Sequence, residues 1–534
     1  MKLHLLLAAL LLSLNCAAQE RVERWGRFEL TLHATPGNNP FDTELTTTFT
    51  GPDTTCTVRG FYDGNDIFRV RFMPTAEGEW TYTTHSPLPA LNDAKGHFTC
   101  IPPTAGNHGP VRVDGQYAFR HADGTRYYPM GTTAYNWMHE PDSLIARTVQ
   151  SLREARFNKL RMLFFVQNFD PAHPEPTLFP YEVKSVRTDA NGKRVYEWDY
   201  DRFNPAYFTH VEECIDRLAA IGVEADLILF HPYDEGRWGF DRMPVEARHR
   251  FLRYAVARLA AFRNVWWSLA NEYDFMRTLT VDDWNGFART VVKNDPYHHL
   301  CSIHSHTAKY YAYWMPEFTH ASVQDQAPVE GFGRAATVRN IYKKPVVFDE
   351  VCYEGNMDNR WGSLSGQEFL YRMWQGLVAG TYVGHGECYM VDGPNDYSRD
   401  FLAVGGTFQG TSWRRIGFAL DILNAMPHPL QLADSSWDTQ TSTAGDGYYL
   451  IYLGKEVPDA WTFELPVKNA GYGRLREGMR FRVEVIDTWN MTVTPCPVTF
   501  ETGTPVRDRI FDRLHRSVPL PSQPYLLLRI TTAE

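Results

Sequence analysis

The sequence has almost no long apolar runs. Its first fifteen residues, MKLHLLLAALLLSLN, form a leucine-rich run after an early lysine, and CAAQE follows. This pattern is typical of a secretory signal peptide at 1–18, cleaved after Ala18. A lipid anchor on Cys16 is the alternative, although Ser13, Leu14 and Asn15 fit a lipidation site poorly. Because no later stretch approaches the length of a membrane helix, we expect an exported, periplasmic or extracellular protein without a membrane span.

Cysteines are also few. Eight occur in 534 residues, and seven remain after cleavage of the predicted signal peptide, which contains Cys16. That number is odd, and neither a CxxC pair nor a zinc-type Cys/His spacing is present. The pattern therefore indicates neither a disulfide framework nor a structural metal. Cys56 and Cys100, near opposite ends of the N-terminal β region, remain a candidate disulfide pair.

Blocks of charge of one sign are absent as well. The formal net charge of −10 is spread along the chain, which argues against nucleic acid or a membrane surface as a partner. The sequence is instead rich in aromatic residues, with 15 Trp, 28 Tyr and 32 Phe. Such side chains fill cores, and they also line pockets for ligands with apolar faces, including sugar rings.

Three regions differ in their hydrophobic period. Residues 19–110 alternate between polar and apolar, as in FELTLH and FRVRF, with YDGND as a hairpin signal, and predict an N-terminal antiparallel β sandwich. Their last part, 102–110, is rich in Pro and Gly and reads as a linker. Residues 428–534 alternate again, as in YYLIYL and YLLLRI, and predict a C-terminal β sandwich.

Between these regions, residues 111–427 alternate short apolar runs with amphipathic helices. The eight runs are YYPMGTTAY, FNKLRMLFFV, VEADLILFH, NVWWSLANE, HLCSIHSH, FTHASVQDQ, PVVFDE and GTYVGHGE. This order predicts an α/β fold with a parallel (β/α)8 TIM barrel. The best-marked helix runs from Pro205 to about residue 221, with Asn204 as its cap and Gly222 just past its end.

Polar residues end two of the apolar runs. Asn271 and Glu272 end the fourth run, and Glu350 ends the seventh. Active sites of such barrels lie at the carboxyl ends of the strands, so we expect both carboxylates in the cleft. Strict alternation would point Asp349 the other way. Two carboxylates over one barrel mouth are what glycoside hydrolysis requires. Arg161, a charge inside the second run, needs a partner and would keep Glu350 ionised.

This combination resembles the clan A retaining glycosidases. The resemblance implies that Glu272 is the acid/base, Glu350 the nucleophile and Asn271 a ligand of the sugar 2-hydroxyl, with Arg161 beside the nucleophile. More narrowly, GTTAYNW (131–137) and GHGE (384–387) resemble the apiosidase-like subgroup. The flanking regions resemble two uncharacterised families, through NNPF and GFYDG at the N-terminal end and DTWNMTV at the C-terminal end, which implies architecture without activity.

Further residues near the predicted strand ends are candidates for contacting the sugar. Tyr353 could steer the nucleophile by a hydrogen bond, and Glu354 could bind a hydroxyl. The others are Trp137, His231, Asp234, Trp238, Gln324, Asp325, His385 and Glu387. For each of them the alternative is a scaffold role in a loop or at a strand end.

The sequence therefore predicts a retaining glycoside hydrolase that acts on a complex, plant-type oligosaccharide or polysaccharide without a cofactor. One alternative is a non-catalytic glycan-binding protein on a glycosidase barrel. Another is a metal-dependent amidohydrolase, because His304 and His306 lie two apart as metal-binding pairs often do. In that class the pair belongs to the first strand run, which here contains no histidine pair.

Overall fold

The computed structural model describes residues 20–168, 175–190, 192, 194–307, 309–326, 332–391, 393, 397–433, 441–468 and 471–533. The predicted signal peptide, its cleavage site and Cys16 lie outside these residues. None of the described helices combines the length and the apolar composition that a membrane span needs.

The N-terminal region consists of two sheets with aromatic rings between them. One sheet has the strand order Arg21–Glu23, Lys95–Ile101, Gly78–His85, Thr46–Thr50 and Thr55–Arg59, and the other has the order Phe28–His33, Ile67–Phe72 and Phe61–Tyr62. Phe28 stacks on Phe98 with ring centroids 4.4 Å apart, and Phe49 stacks on Phe72 at 4.1 Å. Two sheets that share such a core form a sandwich.

The candidate disulfide between Cys56 and Cys100 was wrong. The strands that carry them are separated by two other strands of the same sheet. Since neighbouring strands lie about 4.8 Å apart, the two Cα atoms are roughly 14 Å from each other, whereas a disulfide spans at most about 7 Å. The seven cysteines of the described residues are free thiols.

Eight successive parallel strands lie among the described residues of the central region and are numbered here central strands 1 to 8. They are Gly131–Thr133, Lys159–Leu163, Glu224–Ile228, Val265–Ser268, Cys301–Ser302, Ala321–Gln324, Val346–Glu350 and Tyr382–Val383. Strands 1 to 5 form one sheet and strands 6 to 8 another. A parallel bridge between His304 and Ser322 connects the runs of strands 5 and 6. On the other side, the His385 amide donates to the Gly131 carbonyl oxygen at 2.7 Å.

Helices alternate with these strands except between central strands 5 and 6, where the described residues form no α-helix. The described α-helices are Asp142–Ala155, Pro205–Ala219, Val245–Leu259, Val281–Asn294, Phe332–Tyr342, Gly366–Val378, Phe401–Val404 and Ile416–Asn424. The helix from Pro205 begins at the predicted cap, where the Asn204 side chain accepts from the Ala206 amide at 3.2 Å.

Three smaller elements lie outside the predicted alternation of strands and helices. An antiparallel hairpin, Tyr181–Thr188 with Arg194–Phe203, interrupts the chain between central strand 2 and the following helix. A three-stranded antiparallel sheet precedes central strand 1 and consists of Val111–Asp114, Ala118–His121 and Arg126–Tyr127. A short parallel pair, Glu354–Gly355 with Glu387–Cys388, follows central strands 7 and 8.

The C-terminal region is built on one large antiparallel sheet. Its strand order is Gln431–Leu432, Thr441–Thr443, Tyr449–Tyr452, Leu526–Thr532, Arg480–Asp487 and Thr492–Pro495, with Phe500–Glu501 also pairing with Arg480–Asp487. Two short pairs complete the region, Ala460–Thr462 with Ser517–Pro519 and Glu464–Pro466 with Arg509–Phe511.

The two flanking motifs connect the outer regions to the central one. In GFYDG, the Asp63 carboxylate accepts from Arg258 of a central helix at 2.7 Å. In DTWNMTV, the Trp489 carbonyl oxygen accepts from Arg415 at 2.9 Å, and the guanidinium carbon of that arginine lies 3.8 Å from the Trp489 ring centroid. These motifs therefore hold the three regions together.

Candidate active site

A cavity of about 410 Å³ opens where the central strands end. Glu272 and Glu350 both line it, together with Tyr135, Tyr233, Gln324 and Tyr353. The two carboxylates, which come from the ends of separate strand runs, therefore line the same cavity. Parallel strands end at a common edge, which is why residues distant in the sequence meet here.

Glu350 ends central strand 7, and three side chains surround its Oε1. The Tyr135 hydroxyl donates to its Oε1 at 2.7 Å, Arg161 Nη1 donates to the same atom at 3.1 Å, and His304 Nε2 lies 3.5 Å away. Burial raises the pKa of this carboxyl, but His304, Arg161 and the hydroxyls of Tyr135 and Tyr353 together lower it below the ordinary value. Burial also lowers the pKa of His304 to about 4, so this ring is uncharged at neutral pH, and Arg161 is the charged side chain that donates to Oε1.

Asp349 also faces the interior, so the predicted alternation along central strand 7 was wrong. The pairing of strands 6 and 7 advances by one residue on strand 6 and by two on strand 7, with Asp349 as the extra residue. Such a β-bulge turns two consecutive side chains toward one face. Lys159 Nζ donates to Asp349 at 2.8 Å and to Asp226 at 2.6 Å, and Arg161 Nε lies 3.7 Å from Asp349. These paired charges form the floor beneath Glu350.

Glu272 lies in the loop after central strand 4 in a left-handed conformation, with φ 43° and ψ 53°. Such a backbone conformation costs a non-glycine residue roughly 1 kcal/mol. The Tyr233 hydroxyl donates to Glu272 Oε2 at 2.6 Å. Burial and then the negative charge of Glu350 raise the pKa of Glu272 to about 7. A substantial fraction of Glu272 is therefore protonated at neutral pH, when Glu350 is ionised.

The Asn271 amide connects the two carboxylates indirectly. Its Nδ2 donates to the Tyr135 hydroxyl at 3.2 Å and to the Tyr233 hydroxyl at 2.7 Å, and its Oδ1 accepts from Arg161 Nη2 at 2.6 Å. The side chain is fully buried. The amide groups are thus engaged within the protein, and Asn271 positions the two tyrosines that hold Glu350 and Glu272.

Sequence reasoning missed Tyr135 and Tyr233 as site residues. Tyr135 lies in GTTAYNW, and Tyr233 lies between the candidates His231 and Asp234, so both are just past the ends of central strands 1 and 3. An aromatic residue at such a position is a weak signal, because loop aromatics more often pack than act. Only the contacts to Glu350 and Glu272 distinguish these two tyrosines.

Trp137 and His231 lie outside the cavity lining. The fully buried Trp137 donates its indole N–H to the Ile145 carbonyl oxygen at 3.2 Å. His231 Nε2 lies 2.8 Å from the Phe165 carbonyl oxygen, and its Nδ1 accepts from the Tyr233 amide at 3.1 Å. Because burial lowers the pKa of His231 to about 4, the ring is neutral. Its contacts hold the loop that presents Tyr233.

Of the other loop candidates, Gln324 lines the cavity, and its side chain hydrogen-bonds to Glu272. Asp234, in contrast, lies outside the cavity lining. It accepts from the Trp238 amide at 2.7 Å and is fully buried. Asp234 and Trp238 therefore shape the loop after central strand 3.

Glu354, His385 and Glu387 form a buried cluster outside the cavity lining. Within the described part of the chain, they are a group whose ligand atoms lie within 4.8 Å of one another, as in a metal site. However, Glu354 accepts from the amides of Thr411 and Ser412 at 2.7 and 2.8 Å and from both of their hydroxyls. Glu387 accepts from the amides of Gln409 and Gly410 at 2.6 and 2.9 Å. These carboxyl groups anchor the 409–412 loop, and we assign them no sugar contact.

The two histidines of the fifth run, His304 and His306, lie in different surroundings. His304 is fully buried and lies against Glu350, as described above, whereas His306 lines the cavity, with its ring centroid 4.7 Å from that of Phe275. In the part of the chain that the structure describes, neither belongs to a group of three close ligand atoms.

Family comparisons cover most of the chain. A model described as the apiosidase-like catalytic domain matches residues 113–389, more than half of the sequence. Models for two domains of unknown function, DUF5060 and DUF5605, match residues 21–87 and 437–531. No curated protein matches the sequence.

Solved structures extend the similarity. One is a candidate glycoside hydrolase from Bacteroides vulgatus ATCC 8482, with 52% identity, a TM-score of 0.93, and coverage of 96% of this chain and 100% of that chain. A family 5 glycoside hydrolase from the same organism is 12% identical, with a TM-score of 0.56 over 80% of this chain and 93% of that chain. A third structure, a glycoside hydrolase, is 14% identical, with a TM-score of 0.54 over 80% and 97%. The last two show similarity of fold alone.

The class that fold, site and relatives define is the glycoside hydrolases, and the chain is an enzyme of this class that acts on carbohydrate. Within the class, it belongs to the apiosidase-like family.

Proposed function

We propose that the protein is a retaining glycoside hydrolase in which Glu350 is the nucleophile and Glu272 the general acid and base. The observation that carries the proposal is that the pKa values of two carboxyl groups in one cavity are shifted in opposite directions. Arg161 and Tyr135 help to keep Glu350 ionised, while burial and the Glu350 charge raise the pKa of Glu272 to about 7. Retaining hydrolysis needs one ionised and one protonated carboxyl.

In the first step, the anomeric carbon forms a bond to Glu350 as its bond to the glycosidic oxygen breaks. Tyr135 and Arg161 both donate to Oε1, so we assign the attack to Oε2. Glu272 gives its proton to the departing oxygen, which leaves as a hydroxyl. The products are a free alcohol, a glycosyl ester on Glu350 and an ionised Glu272.

In the second step, Glu272 takes a proton from water, and the water oxygen attacks the anomeric carbon as Glu350 departs. The change of role follows from the charges. Once Glu350 is esterified, its negative charge no longer raises the pKa of Glu272, so Glu272 loses its proton more easily and becomes a base. The return of the charge on Glu350 then favours a protonated Glu272.

We also propose that the eight central strands close into a (β/α)8 barrel. The His304–Ser322 bridge and the hydrogen bond from His385 to Gly131 support closure on both sides. We further propose that the protein is exported and acts on a complex, plant-type glycan. Mass spectrometry of the protein from its native host tests export, since cleavage after Ala18 leaves an N-terminal Gln19.

The experiment that tests the mechanism compares the wild type with Glu350→Gln and Glu272→Gln on a panel of glycans and synthetic glycosides. The exposed Glu246→Gln serves as the control for the chemical change. We expect turnover by the wild type and the control only, and NMR of the first product should show a retained anomeric configuration. An inverted product, or equal rates for all four proteins, contradicts the mechanism.

The two alternatives have separate signatures. A non-catalytic binding protein would bind a glycan from the panel without cleaving it. A metal-dependent amidohydrolase would lose activity on treatment with EDTA and regain it with a divalent cation. We expect hydrolysis that EDTA leaves unchanged.

A further inference from the structure

Phe275 is a large apolar side chain that lines the active-site cavity and is still 42% exposed. It ends the short 3₁₀ helix Tyr273–Phe275, which directly follows Glu272. Side chains three residues apart lie on the same side of such a turn, and Glu272 and Phe275 both border the cavity. The phenyl ring therefore lies beside the carboxyl group that the proposed mechanism uses as the acid.

The Phe275 ring is held in place from two sides. Its own helix is anchored by Tyr273, whose ring packs edge to face on Tyr311 with centroids 5.0 Å apart. On the other side, the His306 ring lies 4.7 Å from the Phe275 ring, and the His306 amide donates to the Asp274 carboxylate at 2.9 Å. The loops after central strands 4 and 5 are thus joined where the two rings meet. We name Phe275 and His306, which both line the cavity, the ring pair.

The position of the ring pair relates it to one part of the substrate. In the proposed first step, Glu272 protonates the glycosidic oxygen, which is bonded both to the anomeric carbon and to the leaving group. The leaving group therefore begins within hydrogen-bond distance of the Glu272 carboxyl. Glu350, by contrast, bonds to the anomeric carbon of the sugar that stays on the enzyme. The ring pair, next to Glu272, thus lies on the side of the leaving group.

We propose that the ring pair binds the leaving group of the substrate, and that this group is itself a ring, such as a second sugar unit. Sugar rings have faces of C–H groups that pack on flat aromatic rings, and the exposed phenyl ring offers such a surface beside the acid. Covering that ring removes apolar area from water, which strengthens binding. The inference rests on the proposed glycan hydrolysis, and it makes Phe275 a residue that selects the leaving group.

The test compares Phe275→Ala with the wild type on two substrates that share one donor sugar. One is the disaccharide of the panel that the wild type cleaves fastest, and the other is the glycosyl fluoride of the same donor sugar, whose leaving group has no ring. We expect kcat/KM of Phe275→Ala to fall about tenfold on the disaccharide and to stay unchanged on the fluoride. Phe275→Tyr, which keeps a flat ring, should restore most of the loss.

Tyr472→Ala is the matched control. Tyr472 is 39% exposed, and its ring lies 5.5 Å from that of a histidine, His428, in the C-terminal region. It therefore matches Phe275 in exposure and in its neighbour, but it lies outside the cavity lining. We expect this variant to cleave both substrates at the wild-type rate.

A second readout separates contact with the leaving group from a structural role. Once the leaving group has departed, both substrates give the same glycosyl ester on Glu350, so hydrolysis of that ester involves no contact with the leaving group. Pre-steady-state kinetics measures this second step, and we expect Phe275→Ala to leave its rate unchanged.

Two outcomes overturn the inference. An unchanged kcat/KM of Phe275→Ala on the disaccharide shows that the phenyl ring does not help to bind the leaving group. An equal loss on the disaccharide and on the fluoride shows that Phe275 only supports the loop that carries Glu272.

Binding separates this inference from the proposed function. In titration calorimetry, the Glu350→Gln variant should bind the disaccharide, and adding Phe275→Ala should weaken that binding about tenfold. If the wild type cleaves no disaccharide, the one that it binds most tightly takes its place. Weakened binding without any wild-type turnover contradicts the proposed hydrolysis but supports the ring pair. Normal hydrolysis with unchanged binding contradicts the ring pair alone.

Discussion

The hydroxyl of Tyr135 donates a hydrogen bond to Oε1 of Glu350 at 2.7 Å. The two side chains come from the first and seventh of the central strand runs, so the contact exists only because the fold brings these runs together. A hydroxyl that donates to a carboxylate stabilises its ionised form. This relationship, with its counterpart between Tyr233 and Glu272, makes the site testable through pH.

Replacing Tyr135 with Phe should move the acidic limb of the pH–rate profile. The hydrogen bond from Tyr135 helps to lower the pKa of Glu350, so its loss raises that pKa. The rate should then fall at a higher pH on the acidic side, and kcat/KM at the optimum should drop about tenfold, or ~1.4 kcal/mol. Rates of the variant and the wild type across pH check this, and an unmoved acidic limb contradicts it.

Replacing Tyr233 with Phe should move the basic limb of the pH–rate profile. The Tyr233 hydroxyl lowers the pKa of Glu272, which burial and Glu350 otherwise raise to about 7. Its loss raises this pKa further, so Glu272 stays protonated to higher pH, and the basic limb should shift upward. The Tyr135 variant is the matched control in the same assay. A shift of the same limb in both variants would show that the two tyrosines do not serve separate carboxyls.

Asn271→Ala should shift both the acidic and the basic limb of the pH–rate profile. The Asn271 amide donates to Tyr135 and Tyr233 and accepts from Arg161, so its removal releases both tyrosines and leaves a buried guanidinium donor unpaired. We expect kcat to fall about a hundredfold, or ~2.7 kcal/mol. The variant should keep its far-ultraviolet circular dichroism. A rise in KM with kcat unchanged would instead indicate that Asn271 contacts the substrate directly.

Glu212→Ala should destabilise the junction of the N-terminal and central regions. Glu212 accepts from Arg71 at 2.9 Å and from Arg258 at 2.6 Å, and all three side chains are buried. Removing the carboxylate leaves two buried guanidinium groups without their shared partner, which costs about 3–5 kcal/mol. Urea unfolding measures the loss. The exposed Glu246→Ala provides the control, and a change below about 1 kcal/mol would contradict the prediction.

Glu387→Gln should flatten the dependence of stability on pH. Burial raises the pKa of Glu387 from 4.5 to about 8. Between these values the folded state keeps a proton that the unfolded state has lost. The contribution of Glu387 to stability is therefore complete below about pH 4.5 and is lost as pH rises toward 8, with a slope of at most about 1.4 kcal/mol per pH unit.

Thermal unfolding of the wild type and Glu387→Gln between pH 5 and 8 measures this difference, because titrating groups distant from Glu387 contribute equally to both proteins. The wild type should lose stability relative to the variant as pH rises. Parallel curves would show that Glu387 titrates normally in the folded state.

Local patterns in the sequence predicted much of the fold. The change of hydrophobic period separated the β regions from the central one, and Asn204 with Pro205 predicted where a helix begins. The strand-end positions of Glu272 and Glu350 predicted a shared cavity, since parallel strands end at one edge. These features depend on neighbouring residues and on the order of elements along the chain, and both can be read from the sequence.

Only the tertiary structure decided the details of the site. The bulge at Asp349 depends on pairing with another strand, and the roles of Tyr135 and Tyr233 depend on contacts between distant strand ends. The same holds for His231, Glu354 and Glu387, whose polar atoms are taken up by backbone amides and carbonyls in the folded chain. The sequence by itself determined which residue types reach the ends of the strands. Folding decided which of them face the cavity, because partners far apart in the chain compete for the same polar atoms.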